Sequence, residues 1–188
     1  MQPLASEAAP DCGSSGLVVV SVVSHGHKHQ VQGLLNDLVR FSRGRISRVV
    51  LTLNQPEAAP QPPAAGWPFA LHIVRNIRPL GFGANHNRAL SGAGEPFVCV
   101  LNPDVRWDGC DPLEAMVQAA AQPGVGCSYP VQIDNVGCWQ DSARALPTPA
   151  ALFRRRVLGQ REARVDWVNA ACLVLPQPVW QRLQGFDE

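Results

Sequence analysis

With 188 residues the chain has room for one domain with a sizeable core, and not for two ordinary ones. A net charge of +1 supplies no field to hold a nucleic-acid backbone by counterion release, so no nucleic-acid partner is expected. Charged residues are 16% of the chain, below the usual value of about 25%, and 16 glycines with 17 prolines imply many turns.

Residues 1–15 have no basic start leading into an apolar core, so they read as a disordered tail ahead of a domain over 16–188. Leu17 to Val23 is a first buried strand, ending at Ser24-His25-Gly26-His27. Val31, Leu34, Leu35, Leu38 and Val39 then recur at helical spacing, and Ile46 to Leu53 returns as a second strand. Strand, helix and strand in that order predict an α/β fold with a mostly parallel central sheet flanked by helices. Five prolines between Gln55 and Pro68 exclude a helix or central strand there. Phe69 to Val74 is a third strand, and Gly83 to Leu90 starts a helix that returns the chain to a strand at Phe97. Asp111-Pro112 offers a helix N-cap before Leu113, Met116, Val117 and Ala120, and Gly124 to Ile133 reads as a further strand pair or strand and turn. Gln140 to Arg164 gathers six arginines, which suit a solvated face, a phosphate or an anionic membrane surface. Cys172 to Leu175 is the last strong strand, and Val179 to Leu183 begins a short helix.

The six cysteines, Cys12, Cys99, Cys110, Cys127, Cys138 and Cys172, include no Cys-x-x-Cys pair. They read as small hydrophobes in a reducing, cytoplasmic compartment. No apolar stretch approaches the ~20 residues that span a bilayer, so any membrane contact is expected to be peripheral, at the inner face of the plasma membrane.

Phe97-Val-Cys-Val-Leu runs without interruption into Asn102-Pro103-Asp104, a buried strand stopping at a carboxylate. In open α/β sheets ligands bind beyond the carboxyl ends of the strands, so Asp104 is a candidate for a cation or a phosphate-bearing substrate; a plain turn is the competing reading. If the first, second and Phe97 strands are parallel neighbours, Ser24-His25, Asn54 to Glu57 and Asn102 to Asp104 all emerge on one edge. Asn76 to Asn87 is the second signal: Gly81 and Gly83 allow close approach of backbone to a ligand, and Asn76, Asn85, His86 and Asn87 offer donors at a helix start. A glycine turn capped by asparagines explains the same residues. The segment lacks the Lys-Ser/Thr of a Walker loop and the third glycine of a dinucleotide fingerprint.

Taken in order, the Ser-His strand end, Leu-Thr-Leu-Asn54, Asn76 to Asn87, Val-Leu-Asn-Pro-Asp104, Val165-Asp-Trp-Val-Asn-Ala-Ala-Cys-Leu-Val-Leu175 and Gly185-Phe-Asp-Glu188 resemble the family 2 glycosyltransferases. Within them the chain is most similar to the rhamnosyltransferase-like branch of bacterial surface polysaccharide synthesis. The resemblance implies a GT-A fold over 16–188 that binds a nucleotide-diphosphate sugar, with dTDP-rhamnose favoured, and transfers the sugar with inversion to a saccharide or polyprenyl-linked acceptor. It implies that Asp104 holds Mg²⁺ or Mn²⁺ at the family's Asp-x-Asp position, where a hard cation neutralises the leaving diphosphate. Ser24, His25, Asn54, Glu57, Asn76, Gly81, Gly83, Asn85, Asn87 and Asn102 would bind the nucleotide sugar.

Three positions depart from the family. Leu53-Asn54 stands where Asp-Asn is usual, which shifts base recognition to Asn54 or Glu57, and Ala170 replaces a glycine. The Glu-Asp pair that supplies the general base follows Gly-Phe-Asp-Glu in the family, so the domain reads as incomplete at its C-terminus. Asp187 is the candidate stand-in for that base, because an inverting transfer needs a carboxylate to take the acceptor's proton. The alternative is a donor-binding module or inactive fragment without the base.

Overall fold

The computed structural model describes residues 16–42, 44–107, 109–134, 136–140, 143–144 and 167–188. In chain order the elements are β1 (Val18–Ser24), α1 (Lys28–Phe41), β2 (Ile46–Leu53), β3 (Ala70–Arg75), α2 (Phe82–Leu90), β4 (Phe97–Leu101) and α3 (Pro112–Ala120). There follow β5 (Gln132–Ile133), β6 (Trp139–Gln140), β7 (Ala143–Arg144), β8 (Trp167–Val168), β9 (Cys172–Pro176) and α4 (Gln177–Leu183).

The five-stranded sheet has the order β3-β2-β1-β4-β9. The first four of these strands are parallel, and β9 closes the edge antiparallel to β4, with Leu101 opposite Cys172. β1 is therefore interior on both sides and both faces, which is why it reads as a nearly continuous apolar run. Its side chains alternate: Val18, Val20 and Val22 pack with Leu34 and Leu38 of α1 and Leu113 and Met116 of α3. Val19 packs on the opposite face with Val98, Val100, Leu90 of α2 and Trp180 of α4. The exception is Ser21, fully buried, whose hydroxyl meets His86 of α2.

The edge of the sheet away from the strands' carboxyl ends is clamped by one ion pair. Glu95, just before β4, takes Arg48 Nε and Nη2 of β2 at 2.7 and 3.2 Å and the Ser47 hydroxyl at 2.7 Å. The Arg48 guanidinium holds the Glu95 carboxyl down at about 2. Since β2 and β4 flank β1, this contact bridges the start of the central strand and fixes its two neighbours together.

The predicted cap of α3 is present: Asp111 Oδ1 accepts the Leu113 N–H at 3.0 Å, with Pro112 in the first turn. The proline-rich stretch carries neither helix nor strand. Of the two expectations for Gly124 to Ile133, strand and turn is what is present: Ser128 makes a single bridge to Val174, and Gln132–Ile133 is a short strand that turns into β6. Pro123, Gly124, Gly126 and Pro130 interrupt any longer pairing. Among the described residues no helix is long and apolar enough to cross a membrane, and Cys99 and Cys172 are buried while Cys110 and Cys138 are exposed. The 1–15 tail and the arginines from Arg154 to Arg164 lie outside the described residues.

Candidate functional site

Because β1, β2 and β4 are parallel neighbours, the polar residues that follow them open on the same edge. They meet the loop before α2 around a cleft of about 330 Å³, where His25, Asn54, Asn85, Asn102 and Asp104 come together. Val23, Leu80, Phe82 and Pro103 supply an apolar wall, and His27 and Gln30 complete the rim. Phe82 is 45% exposed and carries the largest apolar surface of that wall. It stands between the two glycines of the Asn76–Asn87 motif, which was the available signal for it.

The asparagines hold one another and the loop. Asn54, buried, receives the Leu80 N–H and Asn76 Nδ2 on its Oδ1 at 2.9 and 2.8 Å, and its Nδ2 donates to the Leu80 carbonyl at 3.0 Å. Asn85 donates to the carbonyls of Leu80 and Gly81 and accepts from Asn76 Nδ2. The two main-chain contacts to Leu80 fix which way the Asn54 amide points, and they set its Nδ2 3.0 Å from His25 Nδ1. His25 Nε2 faces the Gln55 side-chain amide at 2.5 Å. Ser24 is buried and its hydroxyl accepts the His27 N–H at 3.1 Å, shaping the turn into α1 and not lining the cleft. Glu57 lies to the side, accepting the Gly26 N–H at 3.4 Å.

Asp104 is held out by anchors on both sides. Asn102 N–H donates to the Ala171 carbonyl at 2.8 Å, and Val105 N–H turns back to the Asn102 carbonyl at 3.3 Å. Asn102-Pro103-Asp104 is thus a turn and a cleft wall at once. Beyond it, Arg106 grips Asp37 of α1 through Nε and Nη2 at 2.6 and 3.0 Å, and Trp107 N–H donates to the same carboxylate at 3.2 Å. A Cβ on Gly33 would lie 2.9 Å from Arg106 Nη1, so the guanidinium crosses α1 at its one side-chain-free position. No local pattern announces a pair 69 residues apart.

Asp104 is exposed, and it is the one carboxylate among the described lining residues. Those residues contain no group of three His, Cys, Asp or Glu that would cage a metal. One carboxylate, with Asn102 lining the same cleft, suits a hard divalent cation that draws its other oxygens from a diphosphate and water.

The other predicted residues build a clasp on α2. Asn87 accepts the Phe186 N–H at 2.8 Å and donates to the Phe186 carbonyl and Glu188 Oε1 at 2.8 and 3.0 Å. A Cβ on Gly83 would meet the Asp187 carbonyl oxygen at 3.0 Å, so this glycine admits the C-terminal segment. One on Gly81 would meet nothing, and Gly81 keeps ordinary extended dihedrals at the start of α2. Asp187 is exposed beside Gly83 and does not line the cleft.

His86 lies beneath this clasp, 1% exposed, with Phe82 and Phe186 against its ring. Nδ1 is 2.8 Å from the Ser21 hydroxyl, while Nε2 has no hydrogen-bond partner among the described residues. Burial lowers its pKa to about 4. An unfolded chain protonates this ring near pH 6.5 and the folded one does not, so full stability is present above about 6.5 and is lost as pH falls toward 4. Between pH 7 and 5 the loss is about 2 kcal/mol, read by urea melts. In His86→Leu that increment should vanish; a variant that keeps it in full would remove His86 from the account.

The fold is shared with a solved enzyme. The mannosyltransferase PcManGT of Pyrobaculum calidifontis, solved with GDP-Man and Mn²⁺, superposes with a TM-score of 0.62 at 18% identity, over 96% of this chain and 50% of its own. The fold is that of the GT-A glycosyltransferases. In sequence, this GT-A domain is 29% identical to the N-acetylglucosaminyl-diphospho-decaprenol L-rhamnosyltransferase of Mycobacterium tuberculosis, over 58% of the chain and 45% of the relative. A Sinorhizobium fredii protein, y4gI, is 30% identical over 63% of the chain and 14% of its own length. The chain thus spans about half the length of the rhamnosyltransferase it matches. No family model matches it.

Proposed function

We propose that the chain is the donor-binding part of an inverting glycosyltransferase that moves a sugar from a nucleoside diphosphate to a saccharide or polyprenyl-linked acceptor. The observation that carries this is the convergence of three strand ends and the start of α2 on one cleft, with Asp104 as its carboxylate. The rhamnosyltransferase relative supports dTDP-rhamnose as donor and a polyprenyl diphosphate-linked sugar as acceptor, met at the inner face of the membrane.

In this reading His25 and Asn102 face the nucleotide sugar, while Asn54, Asn76 and Asn85 keep the floor in shape by bonding one another and the Leu80–Gly81 backbone. Ser24 and Glu57 set the turn after β1. Asp104, with Asn102 beside it, would hold Mg²⁺ or Mn²⁺ against the diphosphate. The cation supplies charge neutralisation for the leaving group. Phe82 and Leu80 exclude water from one side of the bound sugar.

Removing the acceptor's proton needs a carboxylate within hydrogen-bond reach. Asp187 is the nearest candidate in sequence terms, yet it sits outside the cleft. That placement favours a second reading, a donor-binding module whose base comes from elsewhere. Calorimetry of dTDP-rhamnose with Mg²⁺, paired with a transfer assay on a polyprenyl diphosphate-linked sugar, separates the two. Binding with transfer supports the enzyme, binding alone the module, and no Mg²⁺-dependent binding of a nucleotide sugar overturns both.

A further inference from the structure

The small ribbon β5–β6 turns its apolar side outward. Gln132 is paired with Gln140 and Ile133 with Trp139, so the pleat sends the glutamines to one face and Ile133 and Trp139 to the other. Gln132 is half-buried with its amide nitrogen enclosed and Gln140 is exposed, while Ile133 is 49% and Trp139 68% exposed. Val131, two residues before Ile133, is 65% exposed, and Val136 at the turn 82%.

The turn itself is well built. Asp134 Oδ1 accepts the N–H groups of Val136 and Cys138, both at 2.9 Å, and Gly137 supplies the left-handed residue at φ 81°. Asp134 N–H closes it on the Cys138 carbonyl at 2.9 Å. Four large apolar side chains are thus presented outward by an ordered hairpin.

Topology puts this hairpin beside the cleft. β9 starts at the cleft edge, where Cys172 opposes Leu101, and Ser128 pairs with Val174 in the antiparallel sense. The chain after Ser128 therefore leaves the sheet on the cleft edge, with β5 four residues on. Charge narrows what could cover the apolar face. The sequence that continues from β6, residues 141–166, holds six arginines against three carboxylates, Asp141, Glu162 and Asp166. Tryptophan and branched aliphatics next to a cationic run have the chemistry of an interfacial contact with anionic lipid.

We infer that the face formed by Val131, Ile133, Val136 and Trp139 seats itself in the headgroup–acyl boundary of an anionic bilayer and brings the cleft to a membrane-held acceptor. The inference rests on the lipid-linked acceptor proposed above, and its test does not use transfer. Flotation of the full chain with vesicles of phosphatidylcholine and phosphatidylglycerol should carry the protein up, with blue-shifted tryptophan emission, and vesicles of phosphatidylcholine alone should carry far less. The double variant Val136→Ser/Trp139→Gln, changed only at exposed positions, should keep its melting temperature and nucleotide-sugar affinity while partitioning at least about tenfold more weakly. Trp139→Phe should float as the parent does and lose most of the blue shift.

Failure of the parent chain to float, or equal flotation of the double variant, overturns the inference. So does a dimer in sedimentation that the double variant dissociates, which would assign the face to a second copy. Nucleotide binding without flotation sinks the lipid contact alone; flotation without nucleotide binding sinks the transferase reading alone.

Discussion

Asp104→Asn should lose the Mg²⁺-dependent part of nucleotide-sugar affinity and slow transfer by about a thousandfold, which is ~4 kcal/mol of transition-state stabilisation. The substitution keeps the size and shape of the side chain and removes the only carboxylate among the described residues of the cleft. Asp104 is exposed at the end of β4, so the fold should tolerate the change with stability altered by less than about 0.5 kcal/mol. Its neighbours explain why the loop stays in place: Asn102 is tied to Ala171, and Arg106 with Trp107 is tied to Asp37. Calorimetry with and without Mg²⁺ reads the effect. Equal metal dependence in the variant would place the cation elsewhere.

Asn54→Ala should behave differently, losing stability and binding together. The native amide satisfies the Leu80 N–H and carbonyl, Asn76 Nδ2 and His25 Nδ1 from a position 4% exposed. Removing it leaves several buried or half-buried polar groups without partners, at about 1–3 kcal/mol for each one that water cannot reach. A total near 3 kcal/mol corresponds to a fall in Tm on the order of 10 °C for a domain of this size. The loop carrying Leu80 and Phe82 loses its tether, so nucleotide-sugar affinity should drop as well. Weaker binding at an unchanged Tm would mean that Asn54 addresses the ligand and is not a latch.

This contrast shows where the chain was legible. The apolar runs of β1, β2 and β4 could be read because strands buried on both faces are mostly apolar, Ser21 and the Ser47-Arg48 start of β2 being exceptions, and their shared edge followed from parallel pairing. Asp104 stood out because a carboxylate ends a buried run. The asparagines were visible as a group, but an amide carries the same donors and acceptors whether it meets a sugar or another asparagine. Only distances separate Asn54, Asn76 and Asn85, which hold one another, from Asn87, which holds Phe186 about a hundred residues away. Gly83 gave an equally ambiguous signal: room for a ligand and room for the Asp187 backbone demand the same missing Cβ. Asp37 and Arg106 left no trace at all, since an ion pair across the fold has no sequence period.

The order of the sheet has a consequence for how the chain is made. β1, β2, β3 and β4 are all complete by Leu101, but β4 is covered on its outer side by β9, which begins at Cys172. A ribosome adding about 5–20 residues per second takes on the order of ten seconds to bridge that interval. Through it the growing chain carries Phe-Val-Cys-Val-Leu as an open, uncharged strand edge, the kind of template on which neighbouring nascent chains pair. The antiparallel strand that finally closes the sheet therefore also ends the period in which synthesis is most exposed to aggregation.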